Sequence, residues 1–308
     1  MSRLQDILAN LTDSDRTLAD LALLAGEDPD AIQDVNLGSI RKRRDDLERE
    51  VDKDLAAGQL DLVQLQIERE NEANAADAAT VARSLLFLQT IVTAVFNAVR
   101  HGPKVGDDAP EADGPAAMTL ATSPSPPGTV VLTIPNERLL AIRSDLDLAF
   151  ELVFALFRLR TTEDVTEFAD RTGLLAIATL HQWVSLCVVE SIKTTITWRK
   201  TYEGIHMTTI PSMQAANLRT LIESSADDLV ETLDYTGRLV GLDTADGTFR
   251  LDLSDGGQIA GSLADDFPRS ETWGINTAVS ASLARTTTVD YVTGRRAESW
   301  ALLSLLSS

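Results

Sequence analysis

The sequence predicts an α+β protein. It reads as an N-terminal helical segment, an α/β middle domain with long central helices and a hairpin, and a C-terminal small antiparallel β-barrel, SH3-like or OB-like. Three observations carry this. Apolar residues recur at helical spacing through the first hundred positions and again from Asp145 to Ser191. From Leu233 onward the period falls to two, with Asp/Gly turn signals between the runs. A Pro/Gly/Asp-rich stretch at about 101–128 interrupts the middle. The implied domains are 1–72, a helical segment for oligomerisation or partner docking, then 73–229, the α/β body, and 230–308, the barrel.

Taken in order, Leu4, Ile7, Leu8 and Leu11 form one apolar stripe, and "TDSD" offers N-cap residues for a second short helix. "TLADLALLAGEDPDAIQDV" (17–35) has the look of a helix-turn-helix. Its second helix, however, would bring Asp28, Asp30 and Asp34 against phosphates, so a protein-binding segment is the better reading. Ile40, Leu47, Val51 and Leu55 mark an amphipathic helix whose other face, "RKRRDDLERE", sets Arg41 with Asp45 and Lys42 with Asp46 at i, i+4, a self-paired, solvated face. Residues 60–100 read as a long helix or helix pair, polar first and apolar later. "VARSLLFLQTIVTAVFNAVR" (81–100) has the length of a membrane span, but Arg83, Gln89 and Asn97 interrupt it and favour a buried core helix.

"TVVLTI" (129–134) reads as a strand. "LDLAFELVFALFRL" and "GLLAIATLHQWVSLCVVES" are apolar around most of their circumference, as central helices are. "TTEDVTEFADRTG" between them opens on cap residues and ends on Gly173, marking a short connecting helix. "KTTITWRK" and "IHMTTI" flank "TYEG" as a β-hairpin, and Pro211 suits the start of a helix striped by Met213, Leu218 and Leu221. In the barrel, Leu233, Tyr235, Leu239, Phe249, Leu251, Leu253, Ile259 and Leu263 alternate with polar or Gly positions. "DFPRSETWG" is a loop or short helix. "TAVSASLART", "TTVDYV" and "ESWALLSLL" add two or three strands, with "VTGR" as a turn. Closure of such short strands removes the edges that would aggregate.

The formal net charge of −20 and pI near 4.5 argue against a nucleic-acid backbone as the default partner. Only five of the 27 basic residues are lysine, a bias that fits a high-GC bacterial genome or a salt-adapted proteome. Cys187, the single cysteine, forbids an intrachain disulfide and a thiolate zinc cluster. The three histidines, His101, His181 and His206, form no metal-binding spacing, and no GxSxG, P-loop or GxGxxG occurs. No catalytic residue, cofactor or metal is assigned. The residues singled out for binding are Trp198 with Arg199, an aromatic–Arg pair of the kind favoured at interfaces, and Arg238, Arg250 and Tyr291, a stacking and charge surface on the barrel; the competing readings, favoured on residue type, are a Trp198 that seals the core edge and a barrel surface of self-paired charge. Asp243, Asp246, Asp252 and Asp255 surround the latter set.

The ordered series "VARSLLFLQTIVTAVFNAVR", "PPGTVVLTI", the central helices leading to "TTITWRK", and "GRLVGLDTADGTFRLDL" through "TTTVDYVTGRRAESWALLSL" resembles a family of uncharacterised bacterial proteins with an α/β body and a small C-terminal β-barrel. The resemblance spans about residues 75–308. It implies a fold and an association with bacterial accessory and defence-linked genes, and it carries over no catalytic residue. The expected function is therefore non-enzymatic: a cytoplasmic binding or adaptor protein, assembling with itself or a protein partner through its helical segment and barrel, with no membrane role. The alternatives are a ligand- or nucleic-acid-sensing component of an antiviral defence system, and an enzyme with an unfamiliar site.

Overall fold

A computed structural model describes residues 3–27, 37–70, 76–103, 116–121, 128–136, 143–201, 204–225, 227–268 and 273–307. The architecture is mixed α+β, with seven helices among the described residues, one open sheet and one closed five-stranded barrel. The chain divides into two compact units, Met1–Ser224 and Ser225–Ser308.

In the first unit, α1 (Arg3–Glu27) and α2 (Leu37–Gly58) pack together, fastened by Arg44–Asp15 at 2.6 Å and Arg3–Asp54 at 3.5 Å. α1 is one helix, not the two expected. The "TDSD" hydroxyls do not cap a new helix. Thr12 and Ser14 instead donate to the carbonyls of Leu8 and Asn10, one turn back, and Thr17 does the same to Asp13. Of the helix-turn-helix expected over 17–35, the first part of the turn, Ala25–Glu27, is helical, and the remainder (28–35) lies outside the described residues. The charge run on α2 is self-paired, but through Arg44–Glu48 and Arg49–Asp46 rather than the expected Arg41–Asp45 and Lys42–Asp46, and Arg44 also reaches Asp15 on α1.

The largest departure concerns residues 60–69. They form a strand, β1 (Leu60–Arg69), not a helix. Gln59, at φ 50°, breaks α2, and Val63, Leu65 and Ile67 then alternate with Gln64, Gln66 and Glu68. That is period two, which sets one row of side chains on each face of a sheet. β1 is the central strand of an all-antiparallel sheet ordered β2-β3-β1-β4-β5, where β2 is Thr119–Leu120, β3 Thr129–Pro135, β4 Ile192–Lys200 and β5 Gly204–Ile210. The first 72 residues are therefore not a purely helical segment.

Both sheet faces are covered in part. On one, Ile7, Leu8, Val51 and Leu55 of the helix pair meet Leu62 and Val131. On the other, Val63, Leu65, Ile67, Ile196 and Trp198 are sealed under a helical layer. That layer comprises α3 (Ala78–His101), α4 (Asp145–Leu156), α5 (Thr162–Thr172), α6 (Leu174–Val189) and α7 (Ser212–Glu223). α3 is the one described helix long and apolar enough to cross a membrane. Its Leu88, Ile91, Val92 and Val95 are wholly buried in the unit, which is compatible with a soluble protein. Helix starts follow the sequence signals: Ser144 with Asp147 and Thr161 with Asp164 each form a capping box, and Gly173 at φ 83° ends α5. α7 begins after Pro211, but its buried stripe is Ala215, Leu218 and Ile222; Met213 stays 76% exposed.

In the second unit, β6 (Asp227–Asp243), β7 (Thr248–Leu253), β8 (Gln258–Leu263), β9 (Thr277–Asp290) and β10 (Arg295–Ser307) close in the order β10-β8-β7-β6-β9. β6 pairs with both β7 and β9, and β8 runs parallel to β10. This is the Greek-key order of an OB-type barrel. "TAVSASLART" and "TTVDYV" are mostly one strand, β9. The core includes Leu239, Phe249, Leu251, Ile259, Leu263, Phe267, Leu283 and Leu302. The parallel seam is only Ala301↔Ser262 and Leu302↔Leu263, so it tolerates no bulk. A Cβ on Gly261 would stand 2.1 Å from the Trp300 carbonyl oxygen.

Candidate binding surface on the body sheet

The β4–β5 hairpin is the best-anchored piece of surface in the first unit, and its anchor is a buried polar network. Asp61 on β1 is fully buried, and a carboxylate can stay so only if hydrogen bonds replace its water. It accepts from the Trp198 indole Nε1–H at 3.1 Å, the Asn136 amide at 3.2 Å and the Thr201 backbone N–H at 3.3 Å. The Thr201 hydroxyl donates to the Leu60 carbonyl at 2.8 Å. Beside it, Lys200 Nζ lies 3.3 Å from Asp147 Oδ1 with both side chains buried, and 5.1 Å from the Trp198 ring. Asp147 also closes the capping box of α4, so one carboxylate fixes that helix start and the end of β4 together.

Trp198 passes this order to β5. Its ring stacks on Phe150 at 4.7 Å on one side, and His206, its cross-strand partner, lies 5.2 Å away. Arg199 points to the opposite face and ties β4 to α2, donating to Asp52 at 3.0 Å and to the Glu48 carbonyl at 3.2 Å. Thr195 and Thr209 hydroxyls meet at 3.1 Å across the two strands. Just past β5, Ser212 donates its N–H at 3.0 Å and its hydroxyl to Glu70 at the end of β1, a carboxylate at a helix N-terminus where the dipole favours it.

What this scaffold presents is the edge strand β5. No described strand pairs with its outer side. Gly204, Ile205, His206, Met207 and Thr209 are exposed, with Ile205 at 61% and Met207 at 62%. Natural edges are usually shortened, bulged, or guarded with Lys or Pro. The opposite edge, β2, is two residues long, whereas β5 runs seven residues in unbroken register and carries no charge and no proline.

The five residues named from sequence do not form one surface. Trp198 is 1% exposed and belongs to the core, so the interface pair with Arg199 is split between sheet faces. Tyr291, in the β9–β10 turn, is 4% exposed and offers no ring for stacking. Arg238 and Arg250 are exposed on the outer face of β6 and β7, where Asp252 is the cross-strand partner of Arg238. The central turn of the hairpin, Tyr202–Glu203, lies outside the described residues. Asp61 and the β5 edge escaped notice, although a lone charge leading an apolar run and an uncharged "GIHMTTI" were both visible.

Cys187 and His181 are both engaged within the fold. Burial pushes the Cys187 thiol up to about 11, only partly opposed by the Thr194 hydroxyl at 3.6 Å, so it is neutral and inert at ordinary pH. His181 pairs with Glu223 at 3.1 Å between α6 and α7. Comparison of the chain with protein families, with curated proteins and with solved structures finds no match.

Proposed function

We propose that this is a non-enzymatic binding or adaptor protein of the cytoplasm, and that it works by offering the edge of β5 to an extended polypeptide strand. The observation that carries this is a seven-residue edge, unguarded and apolar at Ile205 and Met207, on a hairpin anchored from both faces. Strand addition supplies main-chain hydrogen bonds for affinity and alternate side chains for specificity. The α1–α2 pair then serves as a sheet cover, and the barrel as a second recognition surface.

The test replaces Ile205 and Met207 together by Lys, the guard that natural edges use. Proteins that bind the purified wild-type chain directly should lose binding to this variant while its circular dichroism spectrum stays that of the folded wild type. Retained binding would refute the role of the edge. A second reading, a ligand- or nucleic-acid-sensing component of an antiviral defence system, is favoured by one feature, the OB-type strand order with Arg238 and Arg250 on its outer face. Thermal-shift screening with nucleotides and short oligonucleotides tests it; no shift at any salt concentration rules it out.

A further inference from the structure

We infer that the occupant of the β5 edge is a second copy of this chain, paired antiparallel about a two-fold axis at Met207, so that two five-stranded sheets become one continuous sheet. This rests on the reading of β5 as a binding edge and names its partner.

Self-pairing about Met207 sets Ile205 opposite the second copy's Thr209, His206 opposite Thr208, and Gly204 opposite Ile210. No charge faces a like charge, and the Ile–Thr contacts are β-branched pairs suited to a cross-strand position. Electrostatics point the same way. Two chains of net charge −20 repel wherever charged surfaces meet, and β5 is an exposed strand with no charged residue at all. Closure follows from the other edge. With two residues, β2 is too short to receive β5 in a head-to-tail array, so pairing stops at an isologous dimer. Met207 is the natural centre: its side chain is exposed, and on the dimer it meets its own copy, extending the Ile205 apolar patch across the axis.

The register can be read by crosslinking. Residues facing each other in an antiparallel ladder have Cα atoms about 4.5–5.5 Å apart, within the range a disulfide bridges. Met207→Cys should therefore form a disulfide-linked dimer under mild oxidation. Met213→Cys, more exposed still but off the strand, should stay largely monomeric at the same protein concentration. Cys187 is buried and does not compete. Light scattering should show the wild-type mass doubling as concentration rises. Met207→Asp and Met207→Lys should each be monomeric, since each sets like charges at the axis, and mixing the two should restore the doubled mass.

A wild type that stays monomeric throughout, crosslinking no faster than the Met213→Cys control, or charge variants that dimerise undiminished would each overturn self-pairing. The two proposals fail separately. A monomeric wild type whose partner binding is still lost in the Ile205→Lys/Met207→Lys variant removes the second copy and leaves the binding edge. Monomeric behaviour with binding intact in that variant removes both.

Discussion

Removing the Asp61 carboxylate is the sharpest perturbation of the hairpin's support. In Asp61→Ala the Trp198 indole N–H and the Thr201 backbone N–H lose their acceptor, while the half-buried Asn136 amide can turn to water and the Thr201 hydroxyl keeps the Leu60 carbonyl. Trp198 is 1% exposed and Thr201 8%, so water does not readily replace the lost partner. Each orphaned buried donor costs about 1–3 kcal/mol, giving a loss of about 2–6 kcal/mol for the two. Asp61→Asn should cost about half as much, because one oxygen remains and one position becomes a donor facing donors. Urea unfolding followed by indole fluorescence measures this. A Trp273→Phe/Trp300→Phe background removes the barrel's indoles, so only Trp183 and Trp198 report. Combining Asp61→Ala with Trp198→Phe should give a coupling of about 1–3 kcal/mol, since the phenyl ring leaves no indole donor to orphan. A loss below about 0.5 kcal/mol in Asp61→Ala, typical of a surface change, or strict additivity in the cycle, would refute the network as the anchor.

Three further outcomes are expected. Cys187 should resist alkylation in the folded protein at pH 8 and react fully in denaturant, as mass spectrometry would show; rapid native labelling would contradict its burial and its thiol value of about 11. Gly261→Ala should destabilise the barrel by about 1–3 kcal/mol, the usual cost of overpacking, read by the fluorescence of Trp273 and Trp300, while the body's unfolding stays unchanged. Asp77, the N-cap of α3, accepts from the Thr80 N–H at 2.9 Å and from its hydroxyl, which hold its carboxyl below the ordinary aspartate value of 3.8. A lowered folded value means this support is complete above the ordinary value and disappears as pH falls through the folded one. The Thr80 amide should accordingly lose its hydrogen-exchange protection in that acid window. Asp77→Asn, which caps without a charge, should abolish the pH dependence.

Much of the fold was legible because local chemistry wrote it twice. The alternation from Leu233 to Leu263 and the Asp/Gly turns agreed on strands, and Thr161 with Asp164 and Gly173 bracketed α5 from both ends. Residues 60–69 were misread because helix signals on both sides outweighed a ten-residue alternation between them. Thr12 and Ser14 misled for a related reason: a hydroxyl bonds either the next turn's amide or the previous turn's carbonyl, and sequence does not say which. The candidate surface was harder still. For Trp198 and Arg199 the sequence leaves an interface pair and a core-sealing Trp both open, and the choice depends on Asp61 and Asp52, which lie far off in sequence. An edge strand is a fact of topology, and only the order β2-β3-β1-β4-β5 reveals that β5 has one neighbour.

The placement of β1 has a consequence for biosynthesis. Its hydrogen bond from Trp198 spans 137 residues, so the central strand leaves the ribosome long before the strand that completes it. At roughly 5–20 residues per second, β1 waits on the order of ten seconds, its apolar row facing whatever is nearby. The α1–α2 pair is already made by then and covers the Leu62 side, leaving only the Val63–Leu65–Ile67 row unattended. The N-terminal helices thus double as a built-in escort for a nascent strand. Slowing translation between residues 70 and 190 should lower the soluble yield of the body, while the barrel, whose strands are all made in succession, should be indifferent to it.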